Sequence, residues 1–169
     1  FYLNMIINTN PILDNDKIFH KIIYNPEILK LVENYFNGKS KVVNVDIFYN
    51  ENDGRFNEKN VDIGKLQYHI DDYHLIKANN KKFCKLFIPL TDVDENNGVT
   101  HVVSGSVDNI PKDAIKKLDV LSTQRFEDKY IETNFDKNKI ISLNSKLGEV
   151  FLARTDGFHK GGFVKKGKR

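Results

Sequence analysis

The spacing of apolar residues changes once along this chain, at Gly38, and that change restricts the fold more than any other feature. Before Gly38, apolar residues in "NPEILKLVENYFNG" recur at helical spacing, with Pro26 suited to the first turn. A second helix is predicted just before it, over residues 14–24, with Asp14 or Asn15 as its cap. After Gly38 most segments are β-rich and are separated by polar turns. The chain is therefore predicted to place helices first and strands after them.

The β-rich part is predicted to contain about seven or eight strands. They occupy residues 41–50, 61–70, 83–93, 99–106 and 139–163, the last stretch holding two or three strands. A single short helix is predicted at residues 111–119, with Pro111 at its start. This order is neither an alternating βαβ chain nor a repeat array. It favours an antiparallel barrel or sandwich with helices packed outside.

A chain of 169 residues with 40% apolar residues suits one domain with a buried core. We expect residues 1–38 to form helices that pack on a core of residues 42–169. No apolar run approaches the roughly 20 residues of a membrane span, and the start "FYLNMII" is too short for a signal peptide. Because the first residue is not Met, we expect a cut start or a fragment boundary. The single cysteine, Cys84, excludes an intramolecular disulfide and indicates a reducing, cytoplasmic compartment.

The net charge is +3, and much of the excess lies in the last residues, "KKGKR". A basic tail is typical of nucleic-acid binders, but one short cluster in a chain with 23 acidic residues is weak support for that class. A small anion or a solvated surface explains the excess better. We therefore expect a small-molecule partner and neither nucleic acid nor a membrane, while the oligomeric state is not predicted.

The stretch "LQYHIDDYH" contains two of the five histidines beside two aspartates. His69 and Asp71 are separated by one residue, so on a strand their side chains point to the same face. An imidazole beside a carboxylate forms half of a metal site. His74, His101 and His159 are the candidates for a third ligand. Two histidines and one carboxylate would suit a non-haem Fe(II) centre, although an H-x-D pair alone is common by chance.

Three stretches in a fixed order resemble the phytanoyl-CoA dioxygenase family. They are "LQYHIDDYH", "KLFIPLTDVDENNGVTHVVSGS" and "GEVFLARTDGFHKGGFVKKGKR". This family comprises Fe(II)- and 2-oxoglutarate-dependent oxygenases with a double-stranded β-helix core of the jelly-roll, cupin-like type. The resemblance covers roughly residues 42–169, and the preceding helices fit the family's N-terminal part. It implies an enzyme that uses Fe(II), 2-oxoglutarate and O2.

The resemblance also implies site residues. His69, Asp71 and His159 fall on the family's iron ligands. Arg169 falls ten residues after the distal histidine, where the family keeps an arginine that pairs with the far carboxylate of 2-oxoglutarate. Related halogenases lose the carboxylate ligand, so Asp71 favours hydroxylation. Further cosubstrate contacts are expected from Phe87, Thr100 and Asn50.

Two residues are expected in the substrate pocket. Gln67 would share a strand face with His69, although polar packing explains it equally well. His101 on the strand "VTHVV" is either a pocket residue or a hydrogen-bonded structural histidine. Relatives often carry P-G-S-H where this chain has Ser-Gly-Ser-Val at residues 104–107, which implies different substrate contacts.

The family fold has one more strand after the position of Arg169, where this sequence ends. We therefore expect a core that lacks its last strand. This expectation supports an alternative function, a catalytically silent or truncated β-barrel that binds a metal or a small acid without turning it over.

Overall fold

The computed structural model describes residues 2–8, 17–42, 45–52, 66–79, 82 and 84–169. The strands in this part of the chain are β1 Tyr2–Asn8, β2 Asp46–Asn52, β3 Lys85–Phe87, β4 Thr100–Val103, β5 Ile140–Ser142, β6 Phe151–Ala153, β7 His159–Gly161 and β8 Gly167–Lys168. The helices there are α1 Lys17–Ile23, α2 Pro26–Phe36, α3 Tyr73–Asn79, α4 Lys112–Val120 and α5 Asp128–Asn134, with a 3-10 turn at Lys137–Lys139. None of these helices has both the length and the apolar character needed to cross a membrane.

The strands form three open sheets with the orders β1-β2-β8, β3-β6 and β5-β4-β7. The pairs of β2 with β8, β3 with β6, and β4 with both β5 and β7 are antiparallel. The predicted mainly β architecture with helices is thus confirmed, whereas no barrel closes within the described ranges. Residues 50–169, with residues 1–3, form one compact unit, and residues 4–49 form another. The packing of the N-terminal helices on the core stays a prediction.

The predicted N-terminal helices are confirmed as α1 and α2. Helix α2 begins where the side chain of Asn25 accepts a hydrogen bond from the backbone N–H of Glu27 at 2.9 Å, with Pro26 in the first turn. It ends where Asn37 adopts a left-handed conformation with φ of 50°. The proposed caps of the preceding helix, at residues 14 and 15, lie outside the described residues.

A short segment at residues 68–70 continues the sheet of β5, β4 and β7 through single bridges. His69 forms an antiparallel bridge with His159 of β7, and Tyr68 forms one with Phe126 on the other side. The segment was predicted as a strand at residues 61–70, of which residues 61–65 lie outside the described ranges. Residues 68–70 thus connect β7 to the chain near residue 126.

The hydrophobic core lies on one face of this extended sheet. Phe158, 1% exposed, packs edge-on against Phe126 with ring centroids 5.1 Å apart. Helices α3, α4 and α5 cover this face. The buried core residues are Tyr68, Ile70, Tyr73, Val103, Ala114, Leu118, Phe126, Ile131 and Phe158. Because strand side chains alternate between faces, the residues between these core positions point away from the core.

Three elements differ from the sequence-based expectation. Strand β1 precedes the helices, although helices were predicted first. Helix α3 replaces part of a predicted polar segment, and α5 was not predicted at all. Both helices have only seven residues, and α5 buries only Ile131, so neither shows the periodic apolar stripe that identifies a helix.

Candidate metal centre

The structure brings the three predicted iron ligands together. The candidate ligand atoms of His69, Asp71 and His159 all lie within 4.8 Å of one another. The two histidines are joined through their backbones, with N–O distances of 2.9 and 3.0 Å in the two directions, and their ring centroids are 4.3 Å apart. Backbone pairing therefore places His159 next to His69 and Asp71.

The carboxylate of Asp71 lies against both imidazoles. Its Oδ1 is 3.6 Å from Nε2 of His69, and its Oδ2 is 3.3 Å from Nε2 of His159. The backbone N–H of Asp71 donates to the carbonyl of Thr155 at 2.9 Å, which fixes this end of the segment. Two imidazole nitrogens and one carboxylate facing one point form the donor set of a non-haem iron centre.

Hydrogen bonds to the backbone orient both imidazole rings. Nδ1 of His69 lies 3.2 Å from the carbonyl oxygen of Gln67, and Nδ1 of His159 lies 3.0 Å from that of Gly157. A carbonyl oxygen only accepts, so in the neutral rings Nδ1 carries the proton and Nε2 keeps its lone pair. The two rings thus offer their Nε2 atoms beside the carboxylate, which is how metal-ligating histidines are commonly held. The residues present fit a divalent metal ion.

The electrostatics of the site favour the metal-binding protonation states. Burial lowers the pKa of His69 to about 4, and the charges of His159 and Arg125 act in the same direction. Burial by itself raises the pKa of Asp71, but the neighbouring His159 and the ammonium of Lys85 outweigh it and hold that pKa well below its usual range. At neutral pH the site therefore combines a neutral His69 with an ionised Asp71, as metal ligation requires.

Lys85 is a site residue that the sequence analysis missed. Its Nζ lies 2.5 Å from Oδ2 of Asp71. Lys85 opens β3 within the apolar run "KFCKLFIPL", where one lysine has no signal that separates it from an ordinary surface residue. Only the pairing of β3 with β6 shows where this side chain points.

Three of the four predicted cosubstrate residues meet at Arg169. The Arg169 backbone exchanges hydrogen bonds with Asn50, with N–O distances of 2.8 and 3.0 Å. Its guanidinium donates to the carbonyl oxygen of Gly98 and, at 3.2 Å, to the hydroxyl oxygen of the buried Thr100. Asn50 thus takes part through its backbone, where a side-chain amide was expected.

Sheet register relates this arginine to the metal ligands. Thr100 lies two residues before Val102, which pairs with His159, so its side chain shares the face of that ligand. The offset along β4 is roughly 7 Å at about 3.4 Å per residue. Just before β4, the backbone of Gly98 lies close to that of Gly162. Glycine suits this position because its φ is +92° and because a Cβ there would lie 2.9 Å from the carbonyl oxygen of Gly162.

Phe87, the fourth predicted cosubstrate residue, stacks on Phe151 with centroids 4.9 Å apart and rings 17° from parallel. It lies two residues after Lys85 on β3, so both side chains project from the same strand face. Because Lys85 reaches Asp71, Phe87 lies on the face of β3 that looks toward the metal ligands.

The two predicted substrate-pocket residues line a cavity of about 440 Å³. His101 pairs with Lys160, and Val102 pairs with His159, so His101 lies on the sheet face opposite the metal ligands. Its Nδ1 is 3.2 Å from the hydroxyl of Ser142. Gln67 contacts the centre through its carbonyl oxygen, which holds the ring of His69.

A second cavity, of about 300 Å³, opens directly onto the metal ligands. It is lined by His69 and Asp71, and also by Arg125 and His74. Arg125 is a second site residue that the sequence analysis missed. Its place depends on the bridge between Tyr68 and Phe126, which joins segments almost sixty residues apart and leaves no local pattern.

Comparison with known proteins agrees with this geometry. The phytanoyl-CoA dioxygenase (PhyH) family matches residues 6–166, a span that includes His69, Asp71 and His159. Neither a curated protein nor a solved structure matches the chain. Since the family match covers nearly the whole sequence, this chain belongs to the phytanoyl-CoA dioxygenase family.

Proposed function

We propose that this protein is an Fe(II)- and 2-oxoglutarate-dependent dioxygenase that hydroxylates a small organic substrate. Family membership implies a dioxygenase-type enzyme. The observation that carries the proposal is the convergence of His69, Asp71 and His159, whose ligand atoms lie within 4.8 Å of one another. The double-stranded β-helix core of the family would supply the frame for these residues.

Some residues of the centre would bind Fe(II), and others orient the ligand side chains. The two Nε2 atoms and the Asp71 carboxylate would hold Fe(II), while Gln67 and Gly157 keep the rings in position. Bound Fe(II) supplies the oxidative chemistry, in which decarboxylation of 2-oxoglutarate by O2 is coupled to hydroxylation of a C–H bond.

Arg169, Thr100 and Phe87 would form the cosubstrate end of the site. The Arg169 guanidinium, anchored beside Thr100, would pair with the far carboxylate of 2-oxoglutarate. The offset of roughly 7 Å along β4 from the level of His159 leaves room for a short keto diacid between arginine and metal. Phe87 would provide an apolar wall that excludes water from this end.

An anaerobic titration with Fe(II) and 2-oxoglutarate tests the proposal. We expect a weak visible charge-transfer band when the keto acid chelates the iron, and loss of the band with succinate formation when O2 is admitted. His159→Ala, which removes one ligand, should show no band. Tight iron binding by the wild-type protein without any band at saturating 2-oxoglutarate would contradict the proposal.

One observation favours the alternative of a catalytically silent barrel. The Lys85 ammonium lies 2.5 Å from Asp71, so a cation already occupies the carboxylate that a metal would use. A silent barrel would bind 2-oxoglutarate in the presence of metal but release no succinate under O2. Succinate formation by the wild-type protein, absent in His159→Ala, would exclude it.

A further inference from the structure

The cavity of about 300 Å³ beside the metal ligands has a polar wall that the proposed chemistry leaves without a role. Besides the ligands His69 and Asp71, its polar lining consists of Asp72, Tyr73, His74, Ser122, Thr123 and Arg125. Among the residues that the structure describes, Arg125 is the only lysine or arginine in this lining. Its charge is permanent, since a guanidinium does not lose its proton in proteins.

Sheet register explains why Arg125 faces the metal ligands. Tyr68 and Phe126 form a reciprocal antiparallel bridge with N–O distances of 2.8 and 2.9 Å. One residue further along, the same register places Arg125 opposite His69 and on the same face. His69 in turn is bridged to His159. The three residues therefore form a row across adjacent extended segments, and neighbouring segments of a sheet lie about 4.8 Å apart.

The guanidinium of Arg125 has an unused donor. Its Nη1 is buried, and among the described residues it has no hydrogen-bond partner. The nearest acidic ligand, Asp71, is already shared by two imidazoles and Lys85. Buried donors are almost always paired, and an unpaired charged donor at the wall of a cavity indicates an acceptor that comes with a ligand.

We propose that Arg125 binds an anionic group, a carboxylate or a phosphate, of the substrate that is oxidised. This inference rests on the proposed function. Ser122 and Thr123, in the same lining, supply hydroxyls for the remaining anion oxygens. The substrate would then be held by its charged end one strand away from His69, with its reacting carbon toward the metal ligands. The substrate class is an organic acid or phosphate ester.

The cosubstrate is not the anion expected at Arg125. Arg169 contacts Thr100 on β4, which flanks β7 on one side, whereas Arg125 lies beyond residues 68–70 on the other side. The metal ligands lie between these two arginines. Each arginine thus serves one carboxylate, and the two anions approach the ligands from opposite sides.

The test uses acetate as the probe, with acetamide as its neutral isostere. The chain has four arginines, so ¹⁵N-arginine labelling gives four Nε–H signals, and Arg125→Gln identifies its own. We expect acetate at millimolar concentrations to shift the Arg125 signal, and acetamide to leave it unchanged. The control Lys116→Gln removes one positive charge from an exposed position on α4 and should keep the acetate response.

A second measurement separates this inference from the proposed function. In Arg125→Gln, the 2-oxoglutarate affinity should stay within about twofold of wild type, while acetate affinity falls at least about tenfold. Two results would overturn the anion site. One is an Arg125 signal that does not shift in 100 mM acetate, a concentration roughly tenfold above a dissociation constant in the millimolar range. The other is an equal shift of that signal with acetamide. A loss of 2-oxoglutarate affinity would assign Arg125 to the cosubstrate and equally overturn the anion site. A normal acetate response in a protein that fails to bind iron and 2-oxoglutarate would leave the anion site standing and refute the proposed function.

Discussion

The ion pair between Lys85 and Asp71 predicts that Lys85→Met binds a divalent metal more tightly than wild type. The metal needs the carboxylate that the ammonium now contacts at 2.5 Å. At that distance the attraction is about 1.7 kcal/mol in water, and the Lys85 side chain is 42% exposed, so solvent lowers its net value to about 0.5–1 kcal/mol. The metal must displace the ammonium and so gives up this net attraction. Its absence in Lys85→Met corresponds to a roughly two- to fivefold lower Kd for the metal.

The assay is calorimetric titration with Zn(II) or Mn(II), which avoids iron oxidation. Lys77→Met is the matched control, because Nζ of Lys77 also lies 2.5 Å from a carboxylate, that of Asp119, outside the metal centre. Its metal affinity should equal that of wild type. Equal or weaker metal binding by Lys85→Met would refute the reasoning, since Lys85 would then support the site and not compete with the metal.

Three further predictions concern the ligands, the cosubstrate and the core. His69→Ala and His159→Ala should each abolish metal-dependent 2-oxoglutarate binding while the circular dichroism spectrum stays unchanged; wild-type binding by either variant would make the ligand assignment wrong. Arg169→Ala should weaken 2-oxoglutarate at least about tenfold in calorimetry and leave metal affinity within about twofold, because a charge-assisted pair is lost; unchanged cosubstrate affinity would mean that another cation pairs with it. Phe158→Ala should lower the free energy of unfolding in urea by about 3–5 kcal/mol, because a ring that is 1% exposed and packs on Phe126 is replaced by a cavity. A loss below about 1 kcal/mol would show that this cluster is not the core.

The three candidate metal ligands could be predicted from the sequence because each leaves a local or ordered signal. His69 and Asp71 show the period of a strand, and His159 lies in the stretch "GFHKG", which follows in the order on which the family resemblance depends. The structure confirms that the three meet. It also places Arg169 against Thr100, two residues that were each expected to contact the cosubstrate.

Lys85 and Arg125 could not be predicted in the same way. Each reaches the centre through pairing between segments far apart in sequence: β3 with β6, and Tyr68 with Phe126. Periodicity in a short window holds no information about such partners. For the same reason, the sequence could not show on which sheet face His101 lies. The register of β4 against β7 decides this.

The short helices α3 and α5 were not predicted because of their length. A seven-residue helix covers about two turns, too few for an apolar stripe to repeat, whereas the eleven residues of α2 show a clear one.

The alternation of core and site residues along residues 68–71 has a consequence for how this sequence can evolve. Tyr68 and Ile70 belong to the core, and His69 and Asp71 to the metal centre. An insertion or deletion of one residue here would exchange the two faces, placing a histidine and a carboxylate in the core and aromatic and aliphatic groups at the metal. A substitution changes one position at a time. A change of length would instead disrupt the packing of the core and the candidate metal site together. The spacing of these four residues should therefore be inherited as a unit, even where the surrounding loops gain and lose residues freely.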